Sequence, residues 1–400
     1  MKISGVSKRL SILCFATMTI SGFYATSSSL VMPFLRTEYG FSYNMGGMLL
    51  SALSVGNLLA SFFAGILPAF VGRKASAMLL SVNSAIGYVL TALTANPVYL
   101  LLAFFLIGIS KGAVYNISNI VISEESSNRT KGLNLLHASF AIGSLLCPFV
   151  VAACSKGPLG WRTSCYGIAA VAFCLQLMYL KSDLGGKPPA KEHVNTDWGF
   201  LHNKGFWVST GIIFFEISTE VSVTGWLVTY FTDSGLMSLT MAQLMLSLTW
   251  GLMMIGRLTI AYLPAKLGRK KLIAWMSVAV ALFFALMLFC KRPVLIIVFL
   301  CLFALSIAGI QPTALANLDQ KYTAPAALSV LLSLGSAGGI IMPAITGAVA
   351  QTTGISGGMA AIGFAITAMI ICTIANLTGQ PNHKSQVTAE AGKTRKTEDG

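Results

Sequence analysis

Apolar runs of about twenty residues recur along the whole chain, each closed by a short polar break. As an α-helix, a run of that length rises far enough to cross a hydrocarbon layer, and the breaks are too short to hold soluble domains. Twelve spans are predicted. Six cover residues 10–34, 44–67, 75–95, 97–122, 133–154 and 161–181; six more cover 206–231, 240–263, 271–290, 293–317, 326–351 and 357–377. Lipid offers the backbone no hydrogen-bond partners, so the pattern predicts an all-α integral membrane bundle. Residues 182–204, SDLGGKPPAKEHVNTDWGFLHNK, read as a polar linker between a first half, 1–181, and a second, 205–379. The polar tail 380–400, low in aromatics, reads as disordered.

The halves repeat. Leu67 to Lys74 reads LPAFVGRK, and LPAKLGRK follows 196 residues later at Leu263 to Lys270. GSLLCP at Gly143 to Pro148 returns as GGIIMP at Gly338 to Pro343, an offset of 195. Two matches at nearly one offset mark a duplicated six-helix unit, a design that sets a binding site at the interface of the halves.

Composition narrows the function. The chain is 55% hydrophobic and 10% charged, where a soluble protein has about 25% charged residues; a soluble enzyme is excluded. The net charge of +14 is a matter of placement. With a cytoplasmic N-terminus, the outer loops receive Arg36, Lys156, Arg162, Lys291 and Arg292, Lys111 lies within a span, and the remaining Lys and Arg fall on the cytoplasmic side. The surplus then suits anionic lipid and not nucleic acid. Lys2, Lys8 and Arg9 precede a first apolar run too long for a signal peptide, which reads as an uncleaved helix. The eight Cys show no metal-ligand spacing and serve as packing residues. There is no P-loop, HExxH, CxxC pair or nucleophile elbow, so no cofactor or metal is expected, and a gradient-driven carrier is favoured over an ATP-driven pump.

Of 13 acidic residues, only Glu216 and Glu220 fall deep within a span, in FFEISTE. A charge there costs at least ~2.5 to 3.5 kcal/mol, so its retention points to use. At i and i+4 the two share one helix face, roughly 6 Å apart. At an effective dielectric near 20, two full charges at that spacing repel by about 3 kcal/mol, which favours one proton shared by the pair unless Lys111 sits close. Lys111 lies mid-span, too deep to snorkel, and a carboxylate across a cavity is its expected partner. His137 is expected to bond a neighbour, and Glu124 and Glu125 to join Arg129 and Lys131 in a cytoplasmic charge cluster.

At Gly65 to Lys74 the chain resembles the major facilitator superfamily, whose members carry G-x-x-x-D-R/K-x-G-R/K-R/K between the second and third spans and often again between the eighth and ninth. Gly72 permits the tight turn, and Arg73 and Lys74 place positive charge at the cytoplasmic face; Gly268, Arg269 and Lys270 repeat the arrangement. Ala69 and Ala265 stand where the family has the Asp of a latch between helix ends. Residues 133–148 and 216–231 resemble the fucose-permease branch. GSLLCP also resembles the fifth-helix motif of antiporting exporters, with Cys147 replacing a Gly, although close packing and bending explain it more simply.

The resemblance implies the major facilitator fold, twelve helices in two six-helix repeats, with the first, fourth, seventh and tenth lining a central cavity. Solute-binding residues would then be Tyr24 and Ser28 (with Ser27 and Ser29), Lys111, Tyr115, Asn116, Asn119, Trp226 and Gln311, with Asn317 also on the tenth span. Glu216 and Glu220 would bind the coupling proton, Na⁺ being the other candidate ion. Gly72, Arg73, Lys74, Arg257, Gly268, Arg269 and Lys270 would gate. The repeat offset sets Tyr24 level with Glu220. Hydroxyls, amides and aromatics suit a sugar-like solute. The expected function is proton-coupled uptake of a sugar-like or other small polar metabolite by a monomer in the cytoplasmic membrane, both termini cytoplasmic. The alternatives are a proton-antiport exporter of drugs or metabolites and a non-transporting membrane solute sensor.

Overall fold

The structure is a computed structural model that describes residues 5–126, 129–182, 198–260, 268–318 and 325–378. Most of the predicted linker, the tail and Ala265 lie outside the described residues. The first half holds α1 (Gly5–Tyr39), α2 (Tyr43–Ile66), α3 (Pro68–Ser81), α4 (Asn83–Leu93), α5 (Pro97–Glu125), α6 (Arg129–Cys154) and α7 (Arg162–Leu180). The second holds α8 (Lys204–Asp233), α9 (Leu239–Ile260), α10 (Arg269–Phe289), α11 (Pro293–Ile307), α12 (Ile310–Ala316) and α13 (Pro325–Thr378).

The helices map onto twelve spans. The third span is α3 with α4, the tenth is α11 with α12, and α13 supplies the last two. Among the described residues eleven segments are long and apolar enough to cross a membrane, and the last, Val330–Thr378, runs 49 residues. At 1.5 Å per residue that is roughly 74 Å, more than twice a hydrocarbon core. A polar break over 352–356 is expected from the sequence, yet helix continues on both sides of a single residue, Gly354, at φ 79°. The reversal is tight enough that Gly358 returns against Ala350 and the Thr346 carbonyl. The tenth span is also broken where a continuous helix is expected. Pro312 has no N–H for the Ala308 carbonyl, and Gly309 gives way to the Ile260 side chain.

Duplication is written into the backbone. Six glycines have positive φ among the described residues: Gly40, Gly72, Gly160, Gly235, Gly268 and Gly354. They form three pairs, Gly40 with Gly235, Gly72 with Gly268 and Gly160 with Gly354, separated by 195, 196 and 194 residues. Each closes a corresponding loop in its half, where a Cβ would be strained. The G-x-x-x-x-P segments also correspond in packing. A Cβ at Gly143 on α6 would collide with the Thr19 carbonyl on α1, and one at Gly338 on α13 with the Phe214 carbonyl on α8. Lipid supplies no hydrophobic drive between helices, so this backbone approach is what holds each pair.

The halves meet at the end bearing the loops near residues 40 and 235, the first-loop end. There Tyr43 donates from its hydroxyl to Asp233 Oδ2 at 2.9 Å and from its backbone N–H to Gln351 Oε1 at 3.0 Å. Arg36 reaches Asp233 at 3.3 Å and lies over the Tyr43 ring at 3.4 Å. Deeper in, Ser51 donates to the Ile340 carbonyl at 2.6 Å and Ser247 to the Leu145 carbonyl at 3.0 Å. Ser51 and Ser247 lie about 12 Å of helix rise from the first-loop end, so every cross-half hydrogen bond among the described residues falls in that half of the bundle.

Arg36, Tyr43 and Asp233 therefore act as a clasp. Asp233→Asn removes an attraction of about 1 kcal/mol between partly exposed groups. The population open at the first-loop end is expected to rise about fivefold, read as a longer component in double electron–electron resonance between labels at exposed Thr37 and Met241. An unchanged distance distribution contradicts the clasp.

Candidate functional site

Helix geometry assembles a charged cluster at mid-bundle. On α5, Lys111 lies fourteen residues from both ends, with Tyr115 one turn on. On α8, Glu216 and Glu220 share a face. α9 contributes Arg257, and α6 contributes His137. Glu216 is 1% exposed, and its Oε2 has no hydrogen-bond partner among the described residues. Glu220 accepts from Arg257 Nη2 at 3.3 and 3.5 Å, long bonds for a charged pair. Lys111 has no carboxylate within ion-pair distance among the described residues, although it senses the charge of Glu220. The fields of Arg257 and Glu220 reach Tyr115, and that of Arg257 reaches His137.

Beside the charges runs an aromatic row. Tyr115 and His137 rings lie 5.5 Å apart, with the Tyr115 hydroxyl 3.4 Å from His137 Nδ1. Phe140 meets Tyr115 edge-on at 6.2 Å and Trp250 at 6.1 Å, which carries the row from α6 across to α9. Tyr115 is 38% exposed and the Arg257 side chain 41%. Side chains from opposite halves that face each other and stay exposed border an open space between the halves.

Arg257, expected to gate, is placed as the partner of Glu220. The sequence holds the signal, since a cation inside a span needs a carboxylate and this half offers only Glu216 and Glu220 at depth. Lys111, expected to take that carboxylate, has none in ion-pair reach among the described residues. His137, Phe140 and Trp250 show in the sequence only as an aromatic-bearing fifth span and an isolated Trp.

The other predicted residues are placed as follows. Tyr24 is 2% exposed, accepts from Ser84 at 3.0 Å and packs on Tyr88, which in turn bonds Ser27 at 2.5 Å. The hydroxyls of α1 thus turn into the first-half core, and Tyr24 does not join the cluster. Ser28 is buried, and its Oγ has no hydrogen-bond partner among the described residues. Trp226 is fully buried, bonds the Pro343 carbonyl at 3.2 Å and packs beside Gly46 at the first-loop end, away from Lys111. Asn116 and Asn119 donate to carbonyls of their own helix, and Gln311 is half-buried on α12.

At the opposite end Gly72 turns the chain at φ 81°, and Arg73 forms a fork on Glu124 at 2.7 and 2.8 Å. The family's loop acid is absent at Ala69, and the carboxylate that holds Arg73 comes instead from the end of α5. Arg269 donates to the Ala316 carbonyl at 2.9 Å, which joins the second loop to the end of α12.

The profile of the Major Facilitator Superfamily matches residues 13–325. An uncharacterized MFS-type transporter of Yersinia pestis is 23% identical over 361 residues, which cover 89% of this chain and 91% of the relative. The crystal structure of the nucleoside transporter NupG superposes with a TM-score of 0.68 at 18% identity, covering 93% of this chain and 98% of that one. The D-xylose–proton symporter superposes with a TM-score of 0.76 at 12% identity, covering 94% and 98%.

Proposed function

The chain belongs to the Major Facilitator Superfamily and is a multi-pass membrane transporter, and from that premise we propose that it takes up a sugar-like or other small polar metabolite together with a proton, by alternating access. The observation that carries this reading is the cluster of Lys111, Glu216, Glu220 and Arg257 between the halves at mid-bundle. Ionisable groups at that depth, two of them short of partners, suit a site where ion and solute bind alternately.

In this reading the positive-inside pattern orients both termini to the cytoplasm, in the cytoplasmic membrane. The clasp then closes the outer face, and the cavity opens inward. The proton resides on the Glu216–Glu220 pair, and Lys111 exchanges a carboxylate for the solute. Tyr115, Asn116, Asn119 and Gln311 border the solute, while Tyr24, Ser28 and Trp226 shape the walls from behind. The loops at Gly72–Lys74 and Gly268–Lys270 bend as the halves rock. A nucleoside transporter and a D-xylose–proton symporter among similar structures accord with a small polar solute.

A thermal-shift screen of the purified chain against sugars, nucleosides, amino acids and organic acids tests the reading first, since a bound solute raises the melting temperature by mass action. Each hit is then offered to proteoliposomes with and without an inward proton gradient. Accumulation only with the gradient is the expected result; flux indifferent to it removes the proton from the mechanism.

A further inference from the structure

The charges of the cluster do not balance by contact. Arg257 is committed to Glu220. Lys111 stands at the middle of α5 with no carboxylate in reach among the described residues, and Glu216 is buried with an unpartnered oxygen. With His137 neutral and Glu216 ionised, the group sums to zero, and with Glu216 protonated it carries one positive charge. The elements packed on α8 change nothing in that count. Residues 325–353 of α13 and all of α12 contain no titratable side chain, and the rest of α13 brings only Cys372, beside Gly211. On α1, Tyr24 bonds into the first-half core, Arg36 sits in the clasp and Glu38 pairs with Arg162, and the short turn 198–202 before α8 carries His202, fourteen residues from Glu216 along the chain.

We infer that the site takes a carboxylate monoanion with a flat face, a sugar acid or a ring carboxylate, and that it loads with one proton on Glu216. Resting on the transport reading, the inference narrows its solute. The carboxylate supplies Lys111 with the counter-charge it lacks, and a buried ammonium is costly until paired. The flat face lies on Tyr115, the exposed ring of the row, which Phe140 backs edge-on and the buried Trp250 continues into the second half. The proton neutralises Glu216 as the anion arrives, so proton plus anion cross with no net charge, and Lys111 and Arg257 remain with the protein throughout.

The test uses matched pairs that differ in charge: D-glucuronate against D-glucose, and nicotinate against nicotinamide. Thermal shifts of the full chain are read at pH 6 in wild type, Lys111→Gln and Lys111→Arg. The expected result is a shift by a charged member and not by its neutral twin, weakened roughly tenfold or more in apparent affinity by Lys111→Gln and retained by Lys111→Arg. The arginine variant and the ligand-free melting temperatures separate loss of binding from loss of fold. Equal or larger shifts from the neutral members, no shift from either anion, or an anion shift that survives Lys111→Gln overturns the inference. In proteoliposomes, uptake of the bound anion is expected to follow the proton gradient and to ignore a potassium–valinomycin potential; a potential-driven current overturns electroneutral loading. The two readings fail separately: proton-driven uptake of D-glucose or nicotinamide alone defeats the anion and keeps the transporter, whereas glucuronate binding without flux does the reverse.

Discussion

Gly143→Val is expected to leave little folded protein. A side chain at Gly143 drives into the Thr19 carbonyl, and α1 answers in kind, because a Cβ at Gly22 meets the Phe140 carbonyl and the Ser144 amide. Both obstacles are backbone, so no rotamer change relieves them, and the helices must separate. That separation also breaks the Ser144 hydroxyl bond to the Gly22 carbonyl, 3.3 Å long. Overpacking of a core costs about 1 to 3 kcal/mol where side chains can adjust, and this site, where they cannot, belongs at or above the top of that range. Gly338→Val is expected to do the same to α8 and α13, because its Cβ meets the Phe214 carbonyl and the Ser218 hydroxyl. Gly167→Ala and Gly363→Ala are the controls. Nothing lies within 4 Å of either added carbon, and replacing a helical glycine gains up to ~1 kcal/mol. Size-exclusion profiles and melting curves of the four variants in detergent decide the matter; a monodisperse Gly143→Val with wild-type melting removes the close-packing role.

Glu220→Gln is expected to abolish proton-driven accumulation, a fall of about 100-fold, while leaving counterflow of solute down its own gradient. The substitution strips Arg257 of its carboxylate and Lys111 of its nearest negative field. It also removes the like charge beside Glu216 and frees Arg257 next to it, so the pH profile of uptake should change. A stability loss accompanies it, about 2 kcal/mol because both partners are partly exposed, which places it below the cost of a fully buried pair. Pairing the change with Arg257→Gln tests the assignment: removal of both partners costs less than removal of one, and the double variant should recover melting temperature without recovering coupling. A single variant whose accumulation ratio and pH profile match wild type would falsify the role of Glu220.

Much of the architecture is legible along the chain. The spans follow from run length, and the duplication follows from LPAFVGRK and LPAKLGRK, which the paired left-handed glycines match loop for loop. FFEISTE stands out because a carboxylate in hydrocarbon is costly wherever it points. The misplacements share one cause: sequence gives a residue's height along a helix, and only packing gives its azimuth. The repeat offset sets Tyr24 at the height of Glu220, but α1 is rotated so that its hydroxyls meet Ser84 and Tyr88. Distance to the helix end makes Arg257 read as a gate, and its long side chain reaches Glu220 because α9 lies against α8.

The sequence by itself determined the membrane-spanning class, the two six-helix repeats, the G-x-x-x-x-P contacts and the depth of Lys111, Glu216 and Glu220. Those are one-dimensional properties: run length, period, repeat offset and the cost of a charge at a given depth. The tertiary structure decided the rest: Arg257 as the partner of Glu220, a Lys111 with no carboxylate in reach among the described residues, the aromatic row, and a closure through Arg36, Tyr43 and Asp233 at the first-loop end. These depend on which helices are neighbours and how each is turned about its axis, and close glycine contacts between backbones settle that.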